Sequence, residues 1–248
     1  MHEVEPSQPE KVLSVAQNVA RVQERIRQAA QRVGRDPATV RLIAAAKTVE
    51  VARIRAAIAA GVSIIGENYL QEARRKIGQL GRETVEWHLI GTLQRNKVRY
   101  VFDLFDMVHT IDRVELAEEM QRRGERLHRS MPVLLEVNIG GEESKSGFTP
   151  QALLADVEKL ASLSQVQIRG LMTIPPPTAT PEEARPYYQE LRDVRDRLRA
   201  RGMAGMECVE LSMGMTADFE VAVEEGATMV RVGTAIFGPR PTPPTHHA

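Results

Sequence analysis

Between Pro9 and Val33 the apolar positions fall at Val12, Val15, Val19, Val22, Ile26, Ala29 and Val33, the three-and-four spacing of one face of an α-helix. Gly34 follows, and glycine accepts the left-handed backbone in which helices commonly stop. Beyond it the texture changes: short apolar runs rich in β-branched residues alternate with segments of helical period. "VRLIAAAK" (40–47) leads to "VARIRAAIAAG", "VSIIGEN" (62–68) to "YLQEARRKIGQL", and "VEWHLIG" (85–91) to a helix around "QRNKVRYVF". "DMVHTID" (106–112) leads to "RVELAEEMQRRGERL", and "PVLLEVNI" (132–139), after a polar loop, to "TPQALLADVEKLASL". There Thr149 is placed to cap and Pro150 to occupy the first turn. "VQIRGLMTI" (166–174) passes through a proline-rich loop to "PEEARPYYQELRDVRDRLRARG", "CVELSM" (208–213) leads to "TADFEVAVEEG", and "TMVRVGTAIFG" (228–238) closes the series.

Eight strand candidates, each but the last followed by a helix, predict an α/β protein. The expected architecture is a single (β/α)8 TIM barrel with an extra N-terminal helix. The unit is expected to span residues 1–240, and the proline-rich tail 241–248 to be disordered. An open doubly wound sheet is the alternative, but no GxGxxG turn follows the first strand to mark a dinucleotide crevice.

Charge narrows the partners. Lys plus Arg and Asp plus Glu both number 33, so no net field favours nucleic acid or anionic membranes. Cys208 is the one cysteine of the chain, which excludes an intrachain disulfide framework and fits a reducing, cytoplasmic setting. The segment "MHEVEPSQPEKV" has no apolar core, and no later run approaches the roughly 20 residues of a membrane span. No His, Asp or Glu spacing reads as a metal site.

In a barrel the chemistry gathers where strands end, at the C-terminal face. Lys47 ends the apolar first strand, whereas Lys11, Lys76, Lys97 and Lys159 fall on polar or helical segments and Lys145 lies in the loop "GGEESKSG". An amine in apolar surroundings is easier to deprotonate, as condensation with an aldehyde requires. A lysine merely snorkelling from a strand end is the plain alternative. At the ends of strands seven and eight, Ser212, Gly214, Gly233 and Thr234 offer hydroxyls and closely approachable backbone amides, equipment suited to a phosphate.

Taken together, "LIAAAKT", "GENYLQEA", "WHLIGTLQRNKVR", "TIDR", "VNIGGEESKSGF", "RGLMTI" and "LSMGMTADFEVAVEEGATMVRVGTAIFG" resemble the YggS/PROSC family of pyridoxal 5′-phosphate (PLP) homeostasis proteins. The resemblance runs from about residue 10 to Gly238. It implies a fold type III barrel like the N-terminal domain of alanine racemase, with PLP as an internal aldimine on Lys47. It also implies that Ser212, Gly233 and Thr234 hold the phosphate and that Arg231 faces the pyridine nitrogen; Asn68, His88, Met213 and Gly214 are further candidate cofactor contacts. Thr92 stands where proline is expected after "IG", and Thr216 where serine is usual after "SMGM".

Several residues keep two readings. Arg231 could instead be an interior arginine paired with Glu67 or Glu136. Asn68 could hydrogen-bond a ring substituent of the cofactor or cap the following helix. His88 could line the barrel beneath the cofactor or be a satisfied core imidazole, and His109 is similar. Three functions compete: a PLP carrier or regulator without turnover of its own, a racemase-like PLP enzyme on the same barrel, and an aldolase using Lys47 on a sugar phosphate. Racemases of this type carry a C-terminal β domain, and only ten residues follow Gly238. An aldolase needs a carboxylate and lysine cluster at neighbouring strand ends, which the sequence does not display. The expectation is therefore a cytoplasmic carrier, monomeric, handing PLP to client apo-enzymes, with no nucleic-acid or membrane partner.

Overall fold

The computed structural model describes residues 13–142, 145–203 and 206–239. Helix α1 (Val15–Arg32) starts where Ser14 caps it: Gln17 donates its backbone N–H to Ser14 Oγ, and Gln17 Oε1 accepts from the Ser14 N–H. This reciprocal box satisfies two backbone donors at once. The expected start of the helix, Pro9 to Val12, lies outside the described residues, as does the tail 241–248.

Eight parallel strands follow: β1 (Arg41–Ala45), β2 (Ile64–Glu67), β3 (Glu86–Leu89), β4 (Met107–Ile111), β5 (Met131–Glu136), β6 (Val166–Met172), β7 (Met206–Ser212) and β8 (Met229–Val232). They close into a barrel in sequence order, β8 returning to β1 through pairs such as Ala44 with Val232. The alternation expected for strands decides which side chains face which way. Ala44, Ile65, Trp87, Val108 and Val230 join the large apolar layer between barrel and helices. Ile43, Ile64, Met107, Leu134, Met172 and Met229 form a separate cluster inside.

Around the barrel run α2 (Val51–Ala59), α3 (Leu70–Leu80), α4 (Val101–Leu104), α5 (Val114–Leu127), α6 (Pro150–Ala161), α7 (Arg185–Ala200), α8 (Phe219–Glu224) and the single turn α9 (Thr234–Phe237). The segment after β3 is mainly 3-10 helix, Arg95–Tyr100. Three residues per turn keep the buried Val98 and Val101 on one face there. Where no helix was expected after β8, α9 forms, and α1 packs against α8 and α9. The N-terminal helix thus seals the barrel beside the β8–β1 seam. Among the described residues no helix is long and apolar enough to cross a membrane.

Candidate functional site

Lys47 lies two residues past the end of β1, in a turn. The strand was expected to reach it, but ladder contact with β2 ends one residue earlier, where the Ala46 N–H donates to Gly66 O at 2.9 Å. The chain then turns at Thr48, which holds φ of 63°, a conformation that costs a β-branched residue energy unless its surroundings impose it. Lys47 is half-buried, and its Nζ stands 5.1 Å from the centroid of the Tyr69 ring, over its face. A cation so placed is held by the ring quadrupole.

The restraint on this turn comes from a residue with an unremarkable sequence signature. Lys76, fully buried, donates from Nζ to Ala46 O at 2.6 Å and to Glu67 Oε1 at 2.7 Å, and pairs with Glu72 Oε1 at 2.7 Å. Glu72 Oε1 in turn accepts from the Thr48 N–H at 2.7 Å. The ammonium therefore grips the residue before Lys47 directly and the residue after it through one carboxylate. Burial pushes the Glu67 carboxyl up to about 7 against the opposing pull of Lys76, and Glu67 Oε2 has no partner among the described residues. Lys76 lies on a helix as expected, on its buried face. One expectation is corrected here: a lysine–carboxylate cluster does adjoin Lys47. With three oxygens around it and no exposure, however, Lys76 is structural and cannot meet an aldolase substrate.

Across the barrel seam, the end of β8 packs against the end of β1, and the loop after β7 packs against the turn after β8. A Cβ on Gly233 would stand 3.1 Å from Ala45 O, so the bare backbone is what lets this turn pack closely on the end of β1. The N–H groups of Gly233 and Thr234 have no backbone acceptor among the described residues, and Thr234 is exposed. Thr216 Oγ1 sits at the same place, accepting from the Ala235 N–H at 3.3 Å. On the β7 side, the residues expected at the phosphate are buried. Met213 is fully buried in the outer apolar layer. Gly214, at φ of 88°, is buried where a Cβ would fall 2.5 Å from Ala222 Cβ. Ser212 is fully buried, its hydroxyl engaged by Arg231 and His109. All three lie buried beneath the mouth, and Thr216 is the partly exposed hydroxyl that follows β7.

Arg231 forms no ion pair with Glu67 or Glu136. Its Nη1 donates to Ser212 Oγ at 2.6 Å and its Nη2 to Thr173 O at 2.9 Å, and Nε has no protein acceptor among the described residues. Glu136, at the end of β5, has a buried Oε2 without a partner among the described residues. Burial, then the charge of Asp112, push its carboxyl up to about 7. His88 does not reach the mouth: its Nδ1 lies 2.9 Å from His109 Nε2 and its Nε2 3.3 Å from Glu86 Oε2. The expected cofactor contact at His88 is thus replaced by a satisfied core imidazole. Asn68 is half-buried at the bend after β2. Tyr69, not Asn68, holds the cap position of α3, without a side-chain cap bond, so the capping role is not taken up. Asn68 and Tyr69 instead border a cleft of about 770 Å³ that also meets Thr92, Lys97 and Tyr100.

Sequence reading missed Lys76, Glu72, Tyr69 and Thr216 as site residues. One signal was present: Ala73, Lys76 and Leu80 repeat at three and four along α3 and are its buried residues, so Lys76 interrupts an apolar stripe.

Fold and site together define a barrel of the alanine racemase N-terminal domain class, whose family model matches residues 17–241. A protein of Aquifex aeolicus named pyridoxal phosphate homeostasis protein is 43% identical over 228 residues, covering 92% of this chain and 99% of its own. One of the same name from Pseudomonas aeruginosa is 44% identical over 227 residues, covering 92% and 96%. The solved structure of PipY from Synechococcus elongatus with PLP bound superposes with a TM-score of 0.78 at 37% identity, covering 91% of this chain and all of that one. The chain belongs to the family of pyridoxal phosphate homeostasis proteins.

Proposed function

We propose that this protein binds PLP at the mouth of the barrel, attached through Lys47, and passes the cofactor to client apo-enzymes without efficient turnover of a substrate of its own. The observation that carries the reading is that two strand-end turns are neighbours: the one after β1 holds a half-buried amine over Tyr69, and the one after β8, which packs against Ala45 O, holds the uncommitted amides of Gly233 and Thr234. PLP bound to a relative of matching length supports it. The residues present fit the group. When bound, it supplies an aldehyde that condenses reversibly with a primary amine and a pyridine ring that can draw electron density from an attached carbon.

The chain's own residues bind the group and orient it. Lys47 Nζ is the attachment point, and the face of Tyr69 orients it. The Gly233 and Thr234 amides and the Thr216 hydroxyl receive the phosphate, in place of the Ser212 hydroxyl. Arg231 presents Nε to the ring nitrogen, and a guanidinium only donates, so the ring nitrogen stays unprotonated and the ring remains a weak electron sink. The carboxylates beside Lys47, Glu67 and Glu72, are spent on Lys76, and Tyr69 offers its face, not its hydroxyl. Neither is placed to move a proton at a carbon attached to the cofactor.

Two measurements check this reading. Pyridoxal without phosphate should bind about 100-fold or more weakly than PLP, because at least two hydrogen bonds to a charged group are lost at about 1.5–3 kcal/mol each. Equal affinity for the two aldehydes would remove the phosphate site. For turnover, the PLP-loaded protein is incubated with L- and D-amino acids in deuterated water and α-hydrogen exchange is followed by NMR. Background exchange is expected, and exchange at about 1 s⁻¹ or faster, the lower end of ordinary enzymes, would favour the racemase-like alternative.

A further inference from the structure

A continuous line of side-chain hydrogen bonds crosses the barrel interior from Glu86, at the start of β3, to Arg231 at the opposite end. Its links are Glu86 to His88 at 3.3 Å, His88 to His109 at 2.9 Å, His109 to Ser212 at 2.9 Å and Ser212 to Arg231 at 2.6 Å. His88, His109, Ser212 and Arg231 are all buried, whereas the Glu86 side chain is 56% exposed and opens on a cavity of about 510 Å³ that also meets Arg82 and Asp106.

The two ends of this line fix the direction of every proton in it. A guanidinium can only donate, and an ionised carboxylate can only accept. Glu86 is held in its ionised form by its bond to His88, which lowers its carboxyl below the ordinary range. His88 must therefore carry its proton on Nε2. If the imidazole is neutral, its Nδ1 accepts, His109 donates from Nε2, and His109 Nδ1 is left to accept the one proton of Ser212. Ser212 Oγ meanwhile accepts from Arg231. The reverse order would put two acceptors face to face at Glu86 and leave the Ser212 hydroxyl proton unused. Neutrality of both rings results from where they sit. Burial above all, then the neighbouring His88, Arg231 and Arg41, keep His109 well below its usual value, and burial lowers His88 as well.

We propose that His88 and His109 are positioning residues: with Ser212 they form a neutral, one-way hydrogen-bond chain, anchored on Glu86 at the barrel floor, that locks the guanidinium of Arg231 so that its Nε faces the cofactor ring. Arg231 has two anchors on its terminal nitrogens, the Ser212 hydroxyl and Thr173 O. The second is backbone, fixed by the sheet. The first is a hydroxyl that could rotate, and His109 is what stops it rotating. The chain also explains why Ser212 cannot serve the phosphate, since its single proton is already committed inward.

This inference rests on the reading of Arg231 as the partner of the ring nitrogen, but its first test needs no cofactor. In cofactor-free protein with ¹⁵N-labelled histidine, long-range ¹H–¹⁵N spectra at neutral pH should show both His88 and His109 neutral, with the proton on Nε2 and an unprotonated Nδ1. Ser212→Ala should then perturb the ring nitrogens of His88 as well as His109, although Ser212 does not touch His88, and should weaken PLP binding about tenfold, or about 1.4 kcal/mol. A proton on Nδ1 of either ring, or a Ser212→Ala effect confined to His109, would overturn the chain. Unchanged PLP affinity with the spectra as expected would overturn its positioning role. If the parent protein bound no PLP, the functional reading would fail while the histidine spectra still judged the chain.

Discussion

Replacing Lys47 with alanine is expected to weaken PLP binding by at least about 100-fold, on the order of 3 kcal/mol, and to abolish the near-visible absorbance of a cofactor–lysine adduct. The substitution removes the amine that the aldehyde would join and the charge that rests on Tyr69, while leaving the Gly233 and Thr234 amides and Arg231 untouched. Residual binding should therefore survive through the phosphate and ring contacts, and it should still discriminate PLP from pyridoxal. Folding should be little affected, because Lys47 is half-buried and makes no ion pair among the described residues. Equilibrium dialysis and an absorbance titration measure both effects. Affinity within a factor of about three of the parent, with the band intact, would place the attachment elsewhere.

Lys76→Met should act on stability, and through it on the site. The side chain keeps similar bulk but removes an ammonium that serves Glu67, Glu72 and Ala46 O inside a fully buried space. Breaking a buried pair by removing one partner costs about 3–5 kcal/mol, since a charge is left uncompensated. In a protein of this size that corresponds to a fall in Tm of roughly 10 °C. Glu67 already sits near 7 because of its burial, and without Lys76 it is pushed further upward, so the variant should keep it protonated and lose less at acid than at neutral pH. The sign comes from linkage: a carboxyl raised in the folded state takes up a proton on folding, which favours folding more as the pH falls. Adding Glu67→Gln to Lys76→Met should recover a large part of the loss, because the two sites share one interaction. Urea denaturation across pH gives the comparison. A single variant within 1 kcal/mol of the parent, or strict additivity of the pair, would mean that Lys76 and Glu67 are not coupled.

The barrel was legible because its signals are local and repeat. Period-two apolar runs followed by period-3.6 segments need no tertiary information, and each of the eight expected strands is present, seven of them within three residues of the predicted ends, whereas β8 stops at Val232 where Gly238 was expected and α9 takes over. Lys47 stood out as a candidate for the same reason: an ammonium at the end of an apolar run is a local signal. The pattern could not supply the identity of partners across the fold. Lys76 and Glu67 are nine residues apart on different elements, and their pairing appears only when α3 folds back on β2. Ser212 and His109 are 103 residues apart. A serine at a strand end looks the same in sequence whether its hydroxyl turns outward to an anion or inward to an imidazole, and Ser212 turns inward, onto His109 and Arg231. Strand alternation does predict that Ser212 and Arg231 point into the barrel. It does not predict that the interior is polar enough to occupy them there.

Covalent labelling tests the address of the cofactor most directly. Protein loaded with PLP, reduced with borohydride and digested with trypsin reports it directly, because a modified Lys47 is no longer cleaved. The label is then expected on the uncut peptide "LIAAAKTVEVAR", residues 42–53, at close to one per chain and absent from Lys47→Ala. Label recovered mainly on a peptide containing Lys145, or spread among several lysines, would contradict the account.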